Sequence, residues 1–138
     1  MNKLLIIFIA LTLFSTGCKK DDDANIPLVS VDIYINLSNP EYIHLKVDNG
    51  WTEVTGGSRG IIVYRTNGSY KAYDKHCTYK VTNSCGLVTV DVTNITGVDA
   101  CCGSKFLMST GQPTQGPATQ KLKEYSNSLD GTILHIYN

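Results

Sequence analysis

Four of the five cysteines in this 138-residue chain fall between residues 77 and 102. They sit in or between two polar loops, His76-Cys77-Thr78-Tyr79-Lys80 and Asp99-Ala100-Cys101-Cys102-Gly103-Ser104, with Cys85 in the interval. The fifth, Cys18, stands far upstream. An even set of thiols in an exported domain favours disulfides, and four cysteines allow three connectivities.

Export is what the start of the chain indicates. Lys3 precedes an apolar run over residues 4–14, followed by Ser15-Thr16-Gly17-Cys18. A basic start, a short apolar stretch and small residues describe a secretion signal. The run is too short to cross a hydrocarbon core of about 30 Å as a helix. Phe14-Ser15-Thr16-Gly17-Cys18 resembles a lipobox, in which Cys18 is lipidated and the preceding residues 1–17 are removed. Acyl chains would then anchor the protein to a membrane, each buried methylene adding about 0.8 kcal/mol.

Lys19-Lys20-Asp21-Asp22-Asp23 reads either as a solvated tether or as a sorting signal. A lysine pair followed by acids resembles the export tag of surface-exposed lipoproteins in some Gram-negative bacteria. Lys19 also differs from the aspartate associated with inner-membrane retention. The expected location is the cell envelope, on the outer membrane, with surface exposure as the further option. Residues 18–29 form the lipidated cysteine and flexible tether, and 30–138 a single domain with a modest core. After residue 17 the chain carries 11 basic and 12 acidic residues, a formal charge of −1. Neither that balance nor the scattered lysines suggests a nucleic-acid surface.

Beyond the tether, short alternating or β-branched runs separated by turn residues argue for an all-β domain. Strands are expected over 31–37, 42–47, 60–66, 70–73, 87–92, 105–108, 120–125 and 132–137. Asn67-Gly68 and Asp130-Gly131 favour positive φ and tight hairpins. The glycines at 56, 57 and 60 lack the lysine and following helix of a phosphate loop and read as a turn. Trp51, the only tryptophan, is expected in the core, and His44 and His135 as ordinary strand residues.

The two cysteine loops resemble those of Rieske iron–sulfur domains, where a Cys-x-His loop and a Cys-x-x-His-Gly-Ser loop grip a 2Fe-2S cluster. Cys77, Gly103 and Ser104 fall where that family has them. Gly116-Pro117-Ala118 with Leu122 and Tyr125, and the closing segment 129–137, extend the resemblance over roughly residues 30–138. The fold it implies is an antiparallel β-sandwich or barrel with two cysteine-bearing loops at one tip. Its cofactor would be a 2Fe-2S cluster with Cys77 and Asp99 at the first iron and Tyr79 and Cys102 at the second. Tyr79 and Cys102 stand where the family has histidines, and Asp99 where it has a cysteine. The family joins its loops by a disulfide between non-ligand cysteines, which implies a pair of Cys85 and Cys101. Cys77 and Cys102 would then face each other across the pocket, able to hold a metal or to close a second bridge.

Three functions follow from these residues. One is a clusterless, disulfide-stabilised binding or structural lipoprotein on the cell surface. Another is an electron-transfer protein with an unusual cluster, which would need a redox partner protein. The third is a four-cysteine zinc site or a redox-active vicinal pair, although structural zinc sites usually space cysteines by two to four residues. Nothing resembles a nucleophile–base pair or a paired-carboxylate motif, so an enzyme is not expected.

Overall fold

The structure is a computed structural model and describes residues 25–138; the signal segment, Cys18 and the charge run lie outside the described residues. Among the described residues ten strands make two antiparallel sheets. In chain order they are β1 (Asp32–Asn36), β2 (Trp51–Val54), β3 (Ile61–Thr66), β4 (Ser69–Asp74), β5 (Val88–Val90), β6 (Thr96–Asp99), β7 (Lys105–Leu107), β8 (Pro113–Gln115), β9 (Glu124–Asp130) and β10 (Ile133–Tyr137). The larger sheet runs β1-β10-β9-β4-β3-β2 and the smaller β5-β6-β7-β8. Among the described residues no helix is long and apolar enough to cross a membrane.

Strand β3 explains why the domain has two cores. Its unbroken apolar run, Ile61-Ile62-Val63-Tyr64, is buried on both faces. Ile61 and Val63 join Leu45, Tyr125 and Leu134 in one cluster. Ile62 and Tyr64 point the other way, toward Tyr73, Cys77, Val88 and Phe106 in the second. Successive side chains of a strand alternate between faces, so a continuous apolar run is what a strand covered on both sides requires. Asn67 and Gly68, at φ 49° and 73°, close β3 onto β4 in a two-residue turn with Thr66 opposite Ser69. Residues 131–132 join β9 to β10 in the same way, with Asp130 opposite Ile133.

The expected strand over 42–47 is a 3₁₀ helix, Pro40–Lys46, carrying His44. Proline at its start has φ already set for a helix. The three-residue spacing brings Tyr42 and Leu45 onto one face against the first core, while Ile43 stays exposed. The expected strand over 120–125 begins later, at Glu124, and continues through Ser126, Asn127 and Ser128 to Asp130. Those polar residues are held in the sheet by pairing with β10 rather than by burial. Trp51 is only half buried at the edge of the second core, where its indole N–H donates to Asn94 Oδ1 at 3.0 Å.

Strand β6 was hidden because Gly97 sits at its centre. A Cβ there would lie 2.8 Å from Met108 Sδ and 2.9 Å from Val88 Cγ1, so the two packed side chains exclude one. Gly97→Ala should therefore destabilise the domain by about 1–3 kcal/mol through overpacking against the stiff Val88 side chain. Urea unfolding checks this, and an unchanged midpoint would mean the interface between β5 and β7 yields more than its packing suggests.

Candidate functional site

The end of β4 launches the first loop, and a buried carboxylate fixes its path. Asp74 accepts the backbone N–H groups of Ser58 at 2.6 Å, Arg59 at 3.3 Å and His76 at 2.8 Å, together with the Tyr125 hydroxyl at 2.6 Å. Burial pushes the Tyr125 phenol above its ordinary range, and the bond to Asp74 pushes it further the same way. His76 is fully occupied beside this network. Its Nε2 lies 2.7 Å from the Val81 carbonyl, which can only accept, so Nε2 carries the proton and Nδ1 accepts from the Ser58 hydroxyl at 2.8 Å. The ring is thereby tied to backbone and serine, and burial lowers its pKa.

Cys77 follows, fully buried, with its N–H donating to the Gly86 carbonyl at 3.2 Å. Arg59 donates to that same carbonyl at 2.7 Å, linking the glycine turn to the loop. Burial pushes the Cys77 thiol well above its ordinary pKa, and its hydrogen bond to Asp99 acts in the same direction. Tyr79 packs half buried against the second core, with the Lys80 ammonium 5.3 Å from its ring centre.

The second loop turns on Asp99, the fully buried last residue of β6. Its Oδ1 accepts the Cys101 N–H at 2.7 Å and its carbonyl accepts the Gly103 N–H at 2.8 Å. Gly103 takes φ 81°, a left-handed value that favours glycine. Asp99 Oδ2 is left facing the pocket, 3.2 Å from Cys102 Sγ. Ser104 closes the turn: its Oγ lies 3.0 Å from Cys102 Sγ and accepts the Ala118 N–H at 2.9 Å. That contact latches the Gly116-Pro117-Ala118 segment onto the Cys-Gly-Ser loop.

The loops meet at one place. Cys77 Sγ and Cys102 Sγ stand 3.8 Å apart as free thiols. With Asp99 they form a group whose donor atoms all lie within 4.8 Å of one another. Beside it a disulfide joins Cys85 to Cys101, with Cα atoms 5.7 Å apart. Ser58 and Arg59, which with Asp74 place the first loop, carry no motif of their own in the sequence. Only the glycines at 56, 57 and 60 hinted that the chain there approaches another group closely, and they read simply as a turn.

Comparison with solved structures places this architecture among Rieske proteins. The cyanobacterial plasma membrane Rieske protein PetC3 from Synechocystis PCC 6803 superposes with a TM-score of 0.53 at 23% identity, over 64% of this chain and 87% of that one. The ferredoxin of carbazole 1,9a-dioxygenase from Nocardioides aromaticivorans IC177 gives 0.51 at 16% identity, over 78% of this chain and 98% of that one. An oxygenase and ferredoxin complex of carbazole 1,9a-dioxygenase matches at 0.50 and 15% identity, over 78% of this chain and 28% of the matched chain. No protein-family model and no curated protein matches the chain. The domain has the Rieske-like fold, with the cysteine loops at its tip.

The donors do not fit a Rieske cluster, which takes two thiolates on one iron and two imidazoles on the other. None of the three histidines reaches the pocket. His76 is held by Ser58 and Val81, His135 lies 2.7 Å from Asp32 on the outer strands, and His44 rides the 3₁₀ helix. The sulfurs are also too close for the roles that position gives them. Cys77 and Cys102 would serve different irons, which the bridging sulfides hold apart, yet 3.8 Å is the separation of two ligands sharing one centre.

The Cys85–Cys101 bridge closes a loop with a sequence separation of 16. Replacing both cysteines by alanine should cost about 3 kcal/mol, mostly by freeing the unfolded chain. Urea midpoints of the variant and of oxidised wild type test this, and equal midpoints would mean that the bridge restrains nothing.

Proposed function

We propose that this protein is a lipid-anchored, Rieske-fold domain of the bacterial cell envelope. It descends from one-electron carriers, has given up the histidine-ligated 2Fe-2S cluster, and serves as a disulfide-stabilised binding or structural module. The observation that carries this reading is the pocket itself, where two thiols and a carboxylate converge and no imidazole enters. The fold supplies the ancestry, and the Cys85–Cys101 bridge supplies stability that a cluster would otherwise lend. Anchoring rests on Lys3, the apolar run over 4–14 and the lipobox-like residues ending at Cys18, and the outer membrane on Lys19-Lys20-Asp21-Asp22-Asp23. The reading includes neither catalysis nor nucleic-acid binding.

One alternative has an observation in its favour. The convergence of Cys77, Asp99 and Cys102, with Tyr79 packed against the same core as Cys77, suits an electron carrier whose 2Fe-2S cluster is held by mixed sulfur and oxygen donors. Such a carrier would need a redox partner protein, as the ferredoxin and oxygenase of the carbazole system are found in complex.

Iron and acid-labile sulfide, measured on full-length protein purified without oxygen, separate the two. A colourless protein with neither above background is expected. Red-brown protein with iron and sulfide in equal amounts would overturn the clusterless reading in favour of the carrier. Cys18→Ser should abolish lipid attachment, read as loss of the acyl mass and release from the membrane fraction. Unchanged partition would remove the anchor.

A further inference from the structure

We propose that the pocket binds a single divalent ion of the zinc type through Cys77, Cys102 and Asp99. This deepens the clusterless reading and rests on it. The first argument is distance. Two thiolates each about 2.3 Å from one tetrahedral ion stand about 3.8 Å apart. Cys77 Sγ and Cys102 Sγ are 3.8 Å apart, before any ion draws them together. A carboxylate oxygen completes a third corner, and Asp99 Oδ2 points to that place, 3.2 Å from Cys102 Sγ.

The second argument is preorganisation. Asp99 is fully buried, and its other oxygen is spent on the Cys101 amide, so the oxygen that faces the sulfur is fixed by the backbone. Cys77 is held by the Gly86 carbonyl, and Cys102 by the turn through Gly103. Ligands locked by such outer contacts are what distinguishes a built metal site from a chance encounter of side chains.

The chemistry of the donors selects the ion. Two soft thiolates with one carboxylate suit zinc better than magnesium or calcium, which take oxygen ligands. Cys102 is only partly buried, which leaves a fourth position open toward solvent, as in zinc sites with three protein ligands and a water. Coordination requires both cysteines as thiolates, so each ion taken up displaces two thiol protons to solvent. Zinc carries no redox chemistry of its own. The ion would staple the two loops together and keep the paired thiols from oxidising to a disulfide.

The test uses the full-length protein in detergent, with its thiols held reduced, titrated with Zn²⁺ and separately with Co²⁺, whose thiolate complexes absorb strongly. One equivalent of Zn²⁺ and an intense thiolate-to-cobalt band are expected. Asp99→Asn and Cys102→Ser should each weaken Zn²⁺ binding by more than the roughly 10–100-fold that losing an outer-shell partner costs. The Cys85→Ala/Cys101→Ala variant should bind as wild type does. Circular dichroism of each variant establishes that it is folded, and Asp99→Asn keeps the shape of the side chain if Cys102→Ser does not fold. Absence of the cobalt band from iron-free protein with both thiols titratable would overturn the site and leave the clusterless reading standing. A band that survives Cys102→Ser but vanishes with Cys85 and Cys101 would also overturn it. Iron and sulfide in the purified protein would instead overturn both.

Discussion

The buried carboxylate of Asp74 is the interaction on which the pocket depends. A charge removed from water must regain its solvation from fixed donors, and here three backbone amides and a phenol supply it. Those donors come from the glycine turn, from the first cysteine loop and from β9, so satisfying one side chain fixes three segments at once. Gly57 makes the approach possible: it takes φ 61°, and a Cβ there would lie 2.5 Å from Asp74 Oδ2. From the turn, Arg59 reaches the Gly86 carbonyl that also receives the Cys77 amide. The position of the pocket sulfur is thus inherited from a carboxylate three residues earlier.

Asp99 does for the second loop what Asp74 does for the first, with one difference. Its two oxygens are divided between structure and pocket, Oδ1 on the Cys101 amide and Oδ2 toward Cys102. A cysteine at that position could present a sulfur to the pocket but is a far weaker acceptor for the turn. Aspartate thus strengthens the loop while changing the character of the donor it offers. Ser104 reaches outward from the same turn to the Ala118 amide, which explains why Cys-Gly-Ser and Gly-Pro-Ala belong together although 11 residues lie between Ser104 and Gly116.

What could be read from the residues was set by whether the signal was local. Ile61-Ile62-Val63-Tyr64 and the Asn67-Gly68 turn carry their structure in their own composition, and both form where the pattern puts them. Thr96-Gly97-Val98-Asp99 carries no strand signal of its own because the reason for its glycine, Val88 and Met108, lies elsewhere in the chain. Residues 43–47 alternate apolar and polar as a strand does, yet Pro40 sets the segment in a 3₁₀ helix that packs Tyr42 and Leu45 on the core. Ser126, Asn127 and Ser128 carry no strand signature and owe their conformation to the neighbouring β10. At the pocket, the resemblance of the two cysteine loops to a Rieske site implied their convergence, but the roles of Asp74 and Ser58 arise only from contacts across the fold.

The same geometry limits what the pocket can do with electrons. Imidazole ligands on one iron are what raise the potential of a Rieske centre, and they do so by being neutral where thiolates are charged. The pocket instead gathers sulfur and carboxylate donors, which as anionic ligands would favour the oxidised state of any iron held there. A carrier of that kind would run at lower potential than an imidazole-ligated Rieske centre and could not exchange electrons with the same partners. A centre held without imidazoles would therefore need a partner of correspondingly lower potential. Without such a cluster, the meeting of the two loops would rest on the disulfide beside the thiol–carboxylate pocket.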